Sequence, residues 1–378
     1  MKKIWLFLPL LFIISVTATG CWDMIDLEKR AFVLSLGIDT PNDEEEKEQP
    51  GSPPLNPPHR LHLTMEVFSP HLDKMNKGKY SIILHQSAGT LDEALRLAQS
   101  QIPGRITLIH LRFLIVGEEY AKQGIKEVIE TLKREPKVAS RFRLAFVQEG
   151  RAEDMMKAEV PIEESVAEIL TKTGERDPAY GFHSKLLEQL NSSNGTAYCT
   201  RLHLSKNRWI ENIGAAVLKD WKLAGWLNPY EVRSANWITG RIDQTSVSVD
   251  NQEMLASYHV TRATSRIKVS LEGGHPRFLV TVKTDGILSG IDKKPVGGIT
   301  REYLNKIETA MAQKINAEIR WALEKAQKEF RADYLTFNNV LENFYPAVYK
   351  SLNWEETFPT VPVDVEVQAH ITRLGTEK

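Results

Sequence analysis

Apolar residues recur along this chain at two spacings, one near every second position and one at intervals of three and four. Alternation or short apolar runs predict strands over 31–39 and 61–68. Between them, the acidic, proline-rich stretch 42–58 cannot bury enough apolar surface to order itself, so it predicts an exposed loop in a long hairpin. Thr90-Leu91-Asp92-Glu93 fits a capping box that opens a helix with Leu91, Ala94, Leu95 and Ala98 inward. A strand within 105–117, a helix over 118–135 with Ile125, Val128, Ile129 and Leu132 inward, and a strand over 142–147 follow. Helical segments at 151–158, 162–173 and 179–190 then lead to the turn-rich Asn191-Ser192-Ser193-Asn194-Gly195.

Beyond that turn the pattern is strand-rich, with Tyr198–Leu202, Ile213–Leu218 and Leu223–Leu227, the last two joined by a turn at Lys219-Asp220-Trp221-Lys222. Further strands are predicted within 246–249, 256–270 and 277–288. The period then changes. From Arg301 to Arg331 a stripe of Tyr303, Ile307, Met311, Ile315, Ile319, Ala322, Ala326 and Phe330 predicts one long amphipathic helix. It needs an apolar face to lie on, and the strands on either side, ending with Val361–Ile371, supply one. A docking segment at 333–353 is expected to anchor through Phe344, Tyr345, Pro346, Tyr349 and Trp354. The fold class is α+β, in three mixed α/β domains over 21–194, 195–244 and 245–378, the last an antiparallel sheet packed on the long helix.

Composition changes this picture in one respect. The chain of 378 residues carries a formal charge of -1, near -3 once Lys2 and Lys3 are removed with a leader, which gives no reason to expect nucleic acid. The leader itself is plain: Lys2 and Lys3, an apolar run from Trp5 to Val16, and Thr17-Ala18-Thr19-Gly20-Cys21. The apolar run is shorter than the roughly 20 residues that a spanning helix needs. Cysteine directly after small residues resembles the lipobox of bacterial lipoproteins, with Ala18 where leucine is more common, and makes Cys21 the expected point of lipid attachment to the bilayer. The folded part then begins almost at once, so it should lie outside the cytoplasmic membrane and close to it. Cys199, in an alternating stretch, reads as a small buried hydrophobe.

Candidate chemistry is sparse. No histidine pair has the HExxH spacing, His59 and His62 lack a third ligand, and His259 and His275 stand singly, so no metal site, cofactor or catalytic residue is expected. On the residues the functional class stays open; a lipid-anchored solute-binding protein and a lipid-anchored hydrolase are among the readings.

A resemblance orders them. The lipobox followed by Cys21-Trp22-Asp23, then Leu27-Glu28 and Leu36-Gly37-Ile38-Asp39, the passage from Gly214-Ala215-Ala216-Val217 to Leu227, and the ending Asp333, Phe337, Pro346, Trp354, Val363, Val365, Ile371, Arg373 and Gly375 together resemble the Ger(x)C family, the lipoprotein C subunits of spore germinant receptors. The resemblance implies a non-catalytic protein on the outer face of the spore inner membrane, acting with two integral membrane subunits in nutrient-triggered germination. It implies three mixed α/β domains with a long helix against a sheet in the last. Ligand- and partner-binding residues stay unassigned; Gly214, Gly225, Trp226, Glu231 and Trp237 are patterned enough to serve a partner, or simply to form turns and core.

Overall fold

The computed structural model describes residues 29–42, 60–68, 81–135, 138, 142–158, 165–176, 186–242, 244–250, 255–291 and 298–374. Cys21, the leader before it, the tether to residue 28 and nearly all of the 42–58 loop lie outside the described residues.

The first sheet has nine strands: β1 (Arg30–Asp39), β2 (Leu61–Phe68), β3 (Ser81–Ala88), β4 (Arg105–Thr107), β5 (Phe113–Gly117), β6 (Arg143–Val147), β7 (Ala197–Leu204), β8 (Ile210–Lys219) and β9 (Lys222–Leu227). They run in the order β3-β2-β1-β5-β6-β7-β8-β9, with β4 also beside β1. β1 and β2 pair antiparallel, as their hairpin predicts, in the register Leu36↔Met65. β1, β5, β6 and β7 are parallel neighbours. The expected strand within 105–117 is thus two strands, broken where residues 108–112 leave the sheet.

Helices cover both faces, which is why β5 is buried along its whole length. They are α1 (Leu91–Gln99), α2 (Glu118–Gln123), α3 (Lys126–Arg134), α4 (Ala152–Met156), α5 (Val166–Arg176) and α6 (Leu186–Ser192). Leu114, Val116, Leu144 and Phe146 point to the face that α1, α2, α3 and α6 cover. Phe113, Ile115, Ala145 and Val147 point to the other, against α4 and α5. Thr90 caps α1 as its sequence pattern requires, its hydroxyl accepting from Glu93 N at 3.2 Å. The expected helix over 118–135 is divided at Gly124, whose φ of 128° is outside the helical range.

The second sheet holds β10 (Thr245–Asp250), β11 (Leu255–Glu272), β12 (His275–Ile291) and β13 (Val363–Leu374) in that order. β11 and β12 form one long hairpin turned at Gly273-Gly274, both at positive φ, as a two-residue turn between twisted strands demands. Against this sheet lie α7 (Pro229–Thr239), α8 (Arg301–Glu324), a π-helical turn at Lys325–Glu329, α9 (Phe337–Phe344), α10 (Pro346–Ser351) and α11 (Trp354–Thr357). The expected stripe is the inward face of α8, with Ile307, Met311, Ile315, Ile319 and Ala322 buried against the sheet.

Three expectations need correction. The second sheet is not purely antiparallel: β13 pairs with β12 in parallel, Phe278↔Val363 to Leu288↔Leu374. The reason is the crossover, since the long helix carries the chain back along the sheet before the last strand begins. Phe344 is 70% exposed and Pro346 is exposed, so neither anchors the docking segment; the expected Tyr345, Tyr349 and Trp354 do pack on the second core, joined there by Phe358. Finally, the strands of 195–244 make no sheet of their own. β7 joins β6, and β8 and β9 extend the same sheet.

The two cores meet through β7 and β8. Cys199, Ala216 and Leu218 face the helices of the first core, whereas Tyr198, Ala215 and Val217 face α7 and the second. Gly214 lets this happen: at φ 133° it brings its backbone against Leu227, and a Cβ there would lie 2.0 Å from the Leu227 carbonyl oxygen. Gly214→Ala is therefore expected to destabilise the protein by at least about 2 kcal/mol, through both strain and backbone overlap. A lowered midpoint in urea denaturation checks it.

Candidate functional site

Two patterned residues of the middle segment, Glu231 and Trp237, lie on α7, which packs against α8 and the π-helical turn. Asn228 caps α7, its side chain accepting from Tyr230 N at 2.9 Å and Glu231 N at 3.1 Å, while Glu231 returns the bond to Asn228 N at 2.7 Å. Pro229 fills the first helical position, and Gly240 ends the helix at φ 69°. The second oxygen of Glu231 takes an ion pair from Lys325 at 2.9 Å, fastening α7 to the π-helical turn.

One turn further on lies a buried charge cluster. The Arg233 guanidinium donates to both oxygens of Glu318, at 3.1 and 2.5 Å, and the Trp237 indole donates to Glu318 at 2.9 Å. Glu318 sits within the apolar stripe of α8, and these donors are what make its burial tolerable. Gly225 has no room for a side chain, because a Cβ would come within 2.7 Å of the Phe330 ring. Trp226 is half-buried with the Arg201 guanidinium 5.3 Å over its ring. All five patterned residues, Gly214, Gly225, Trp226, Glu231 and Trp237, thus serve turns, caps and packing.

The same holds for other residues of the sequence signature. Asp39 accepts from Ala152 N at 2.7 Å and Glu153 N at 2.9 Å, capping α4 from across the sheet. Gly37 leaves space for Met156, and Gly117 for the Asp39 carboxylate itself. Asp333 accepts from Phe337 N, Asn338 N and the Trp354 indole at 3.1, 2.6 and 3.0 Å, so it caps α9 and holds the segment that follows. Glu66, which no sequence pattern singled out, accepts from Val166 N and Ala167 N and so caps α5. Burial raises all three carboxyls, Asp39 and Asp333 to about 6, against the hydrogen bonds that favour their ionised forms.

Asp333 lies in a cleft of about 360 Å³ between the two cores, with Asn194, Lys219 and Asp220 on one wall and Arg331, Lys350 and Trp354 on the other. Its deepest polar group is already committed to three donors. Elsewhere, Cys199 is fully buried and its thiol pushed up by desolvation, so it is not poised as a nucleophile. His62 bonds Ser87 at 2.9 Å inside the first core. Among the described residues no group of three His, Cys, Asp or Glu side chains could hold a metal ion, and no helix is long and apolar enough to cross a membrane. Cys21 lies outside the described residues.

Buried polar groups that each fix one element to another describe a structural or assembly module. The comparisons name its class. The family model described as "Spore germination protein N-terminal domain" matches residues 23–202, and that described as "Spore germination B3/ GerAC like, C-terminal" matches residues 213–375. The chain belongs to the Ger(x)C family of spore-germination receptor proteins. Spore germination protein B3 of Bacillus subtilis (strain 168) is 22% identical over 386 aligned residues, covering 97% of each chain. Spore germination protein KC of the same organism is 23% identical over 409 aligned residues, covering 97% of this chain and 95% of its own. Among solved structures, the crystal structure of the GerBC protein covers 93% of this chain and 100% of its own, with a TM-score of 0.55 at 17% identity, a likeness of fold.

Two outcomes follow for the buried charges. Glu318→Ala leaves Arg233 without its carboxylate and is expected to cost about 3–5 kcal/mol, whereas Arg233→Met with Glu318→Leu together should cost much less; denaturant titration of the three proteins checks this. For Asp333, the folded carboxyl keeps its proton up to about pH 6, while the unfolded one releases it near 3.8. Its stabilising share is complete below 3.8 and is lost as pH rises through 6, a change of about 3 kcal/mol. Thermal unfolding between pH 4 and 7 should show a shallower fall for Asp333→Asn than for the parent chain.

Proposed function

We propose that this chain is the lipid-anchored, non-catalytic subunit of a spore nutrient germinant receptor, attached to the outer face of the spore inner membrane through acylated Cys21 and assembled with two integral membrane subunits. The observation that carries the reading is family membership along nearly the whole chain. Two physical features agree with it. The described fold begins at Lys29, eight residues after Cys21, so at most about 28 Å of chain separates lipid from domain. The family signature residues Asp39, Gly214 and Asp333 each fix one element to its neighbour, β1 to α4, β8 to β9 and α9 to Trp354, as a subunit that presents one constant surface to its partners requires.

The test is recovery from spores. An affinity-tagged full chain, purified from detergent-solubilised spore inner membrane, should bring two polytopic membrane proteins with it in mass spectrometry. Cys21→Ala should lower that yield severalfold and shift the protein to the soluble fraction. A membrane-bound chain that returns repeatedly without such partners would overturn the reading.

A further inference from the structure

The first sheet has two unlike ends. At one, β1, β5, β6 and β7 all begin, because they are parallel. The chain enters the fold there, at Lys29. At this end lie Lys29, Arg30, Arg105, Arg112 and Arg143, with the 45% exposed Ile109 in the loop between β4 and β5. Arg30 and Arg105 are register partners on neighbouring parallel strands, and the amide of Arg143 donates to the carbonyl of Arg112. Like charges placed side by side on a sheet are destabilising unless something of opposite sign accompanies them. Arg30, Arg105 and Arg112 have no carboxylate partner among the described residues, although the whole chain is slightly acidic. The opposite end, where β1 finishes and the β7–β8 turn carries Trp209, is about 30 Å away along β1.

We propose that the end of the sheet carrying Arg30, Arg105 and Arg112 is a lipid-docking surface that lies against the anionic headgroups of the bilayer, with Ile109 at the headgroup level. Charge and tether agree in this. A cluster of cations near an anionic bilayer is attracted over about a Debye length, some 8–10 Å, and the eight residues from Cys21 to Lys29, at most about 28 Å of chain against about 30 Å between the two ends, admit this end to that range and not the far one. The docking fixes an orientation as well as an attachment: the strands stand away from the membrane, and Trp209 points outward. The geometry rests on the anchored reading of Cys21; the charge does not.

Two sets of measurements separate those dependencies. In the first, the unlipidated Cys21→Ala chain is sedimented with vesicles of phosphatidylcholine alone or with one third phosphatidylglycerol, at low and high salt. Binding to the anionic vesicles at low salt is expected, weakened at least about tenfold by Arg105→Glu with Arg112→Glu, and absent on neutral vesicles. Asp23, Asp26 and Glu28 stay in every variant, so the difference reads this end of the sheet alone. Both arginines are exposed, and an unchanged Tm shows that the fold survives. In the second, a dye at Ile109→Cys or at Trp209→Cys is placed in the lipidated full chain on anionic vesicles carrying headgroup nitroxides. Severalfold stronger quenching at 109 than at 209 is expected. Equal quenching at the two positions, or anionic-vesicle binding that ignores the double charge reversal, overturns the docking surface. Failure of the lipidated chain to float with neutral vesicles in high salt sinks the anchor at Cys21 instead, and leaves the charge-reversal result to decide the surface.

Discussion

Two adjacent strands with an apolar residue on either face hold this molecule together. Along β7 and β8, Cys199, Ala216 and Leu218 are buried against one set of helices while Tyr198, Ala215 and Val217 are buried against another. Neither core can be completed without these strands, so neither unit can tilt against the other without opening apolar surface, at roughly 25 cal/mol for each Å² exposed. The alanines keep both helix layers close. Around this shared wall the polar ties are arranged: Tyr198 donates to Asn236 at 2.6 Å, and Gln189 donates to the carbonyl of Tyr334 at 3.1 Å.

Buried charge is used throughout in one manner. Asp39, Glu66 and Asp333 each turn two oxygens onto the free backbone N–H groups that begin a helix, and Glu318 takes a guanidinium and an indole. A helix start needs such acceptors, because its first N–H groups have none within the helix. Supplying them from a distant strand joins secondary structure to tertiary structure: α4 cannot keep its first turn satisfied unless β1 is in place. For a receptor subunit this makes the relative placement of sheet and helices a cooperative property. It also gives the acid at the end of Leu36-Gly37-Ile38-Asp39, part of the family signature, a structural role as the cap of α4.

Much of this was legible beforehand. The inward faces of α1, α3 and α8, the β8–β9 turn, and the burial of Cys199 follow from spacing and turn chemistry, and the structure places them as expected. The Asp220-Trp221 turn has both residues at positive φ, the geometry that a tight hairpin requires. Less legible were the breaks inside elements. Gly124 divides a helix that by apolar pattern alone is continuous, since the stripe resumes on the other side.

What the sequence determined by itself was the type of most elements, though not of β3 or α7, the face that its amphipathic helices bury, the family to which the chain belongs and the absence of any recognisable catalytic motif. These depend on residues within a few positions of one another, where backbone geometry converts spacing directly into direction. Only the tertiary structure decided that the middle strands extend the first sheet, that β13 runs parallel to β12, and that Glu318 belongs in a core. Each of those depends on a partner dozens of residues away. Strand periodicity says which side is apolar, and it carries no record of which other apolar side will cover it.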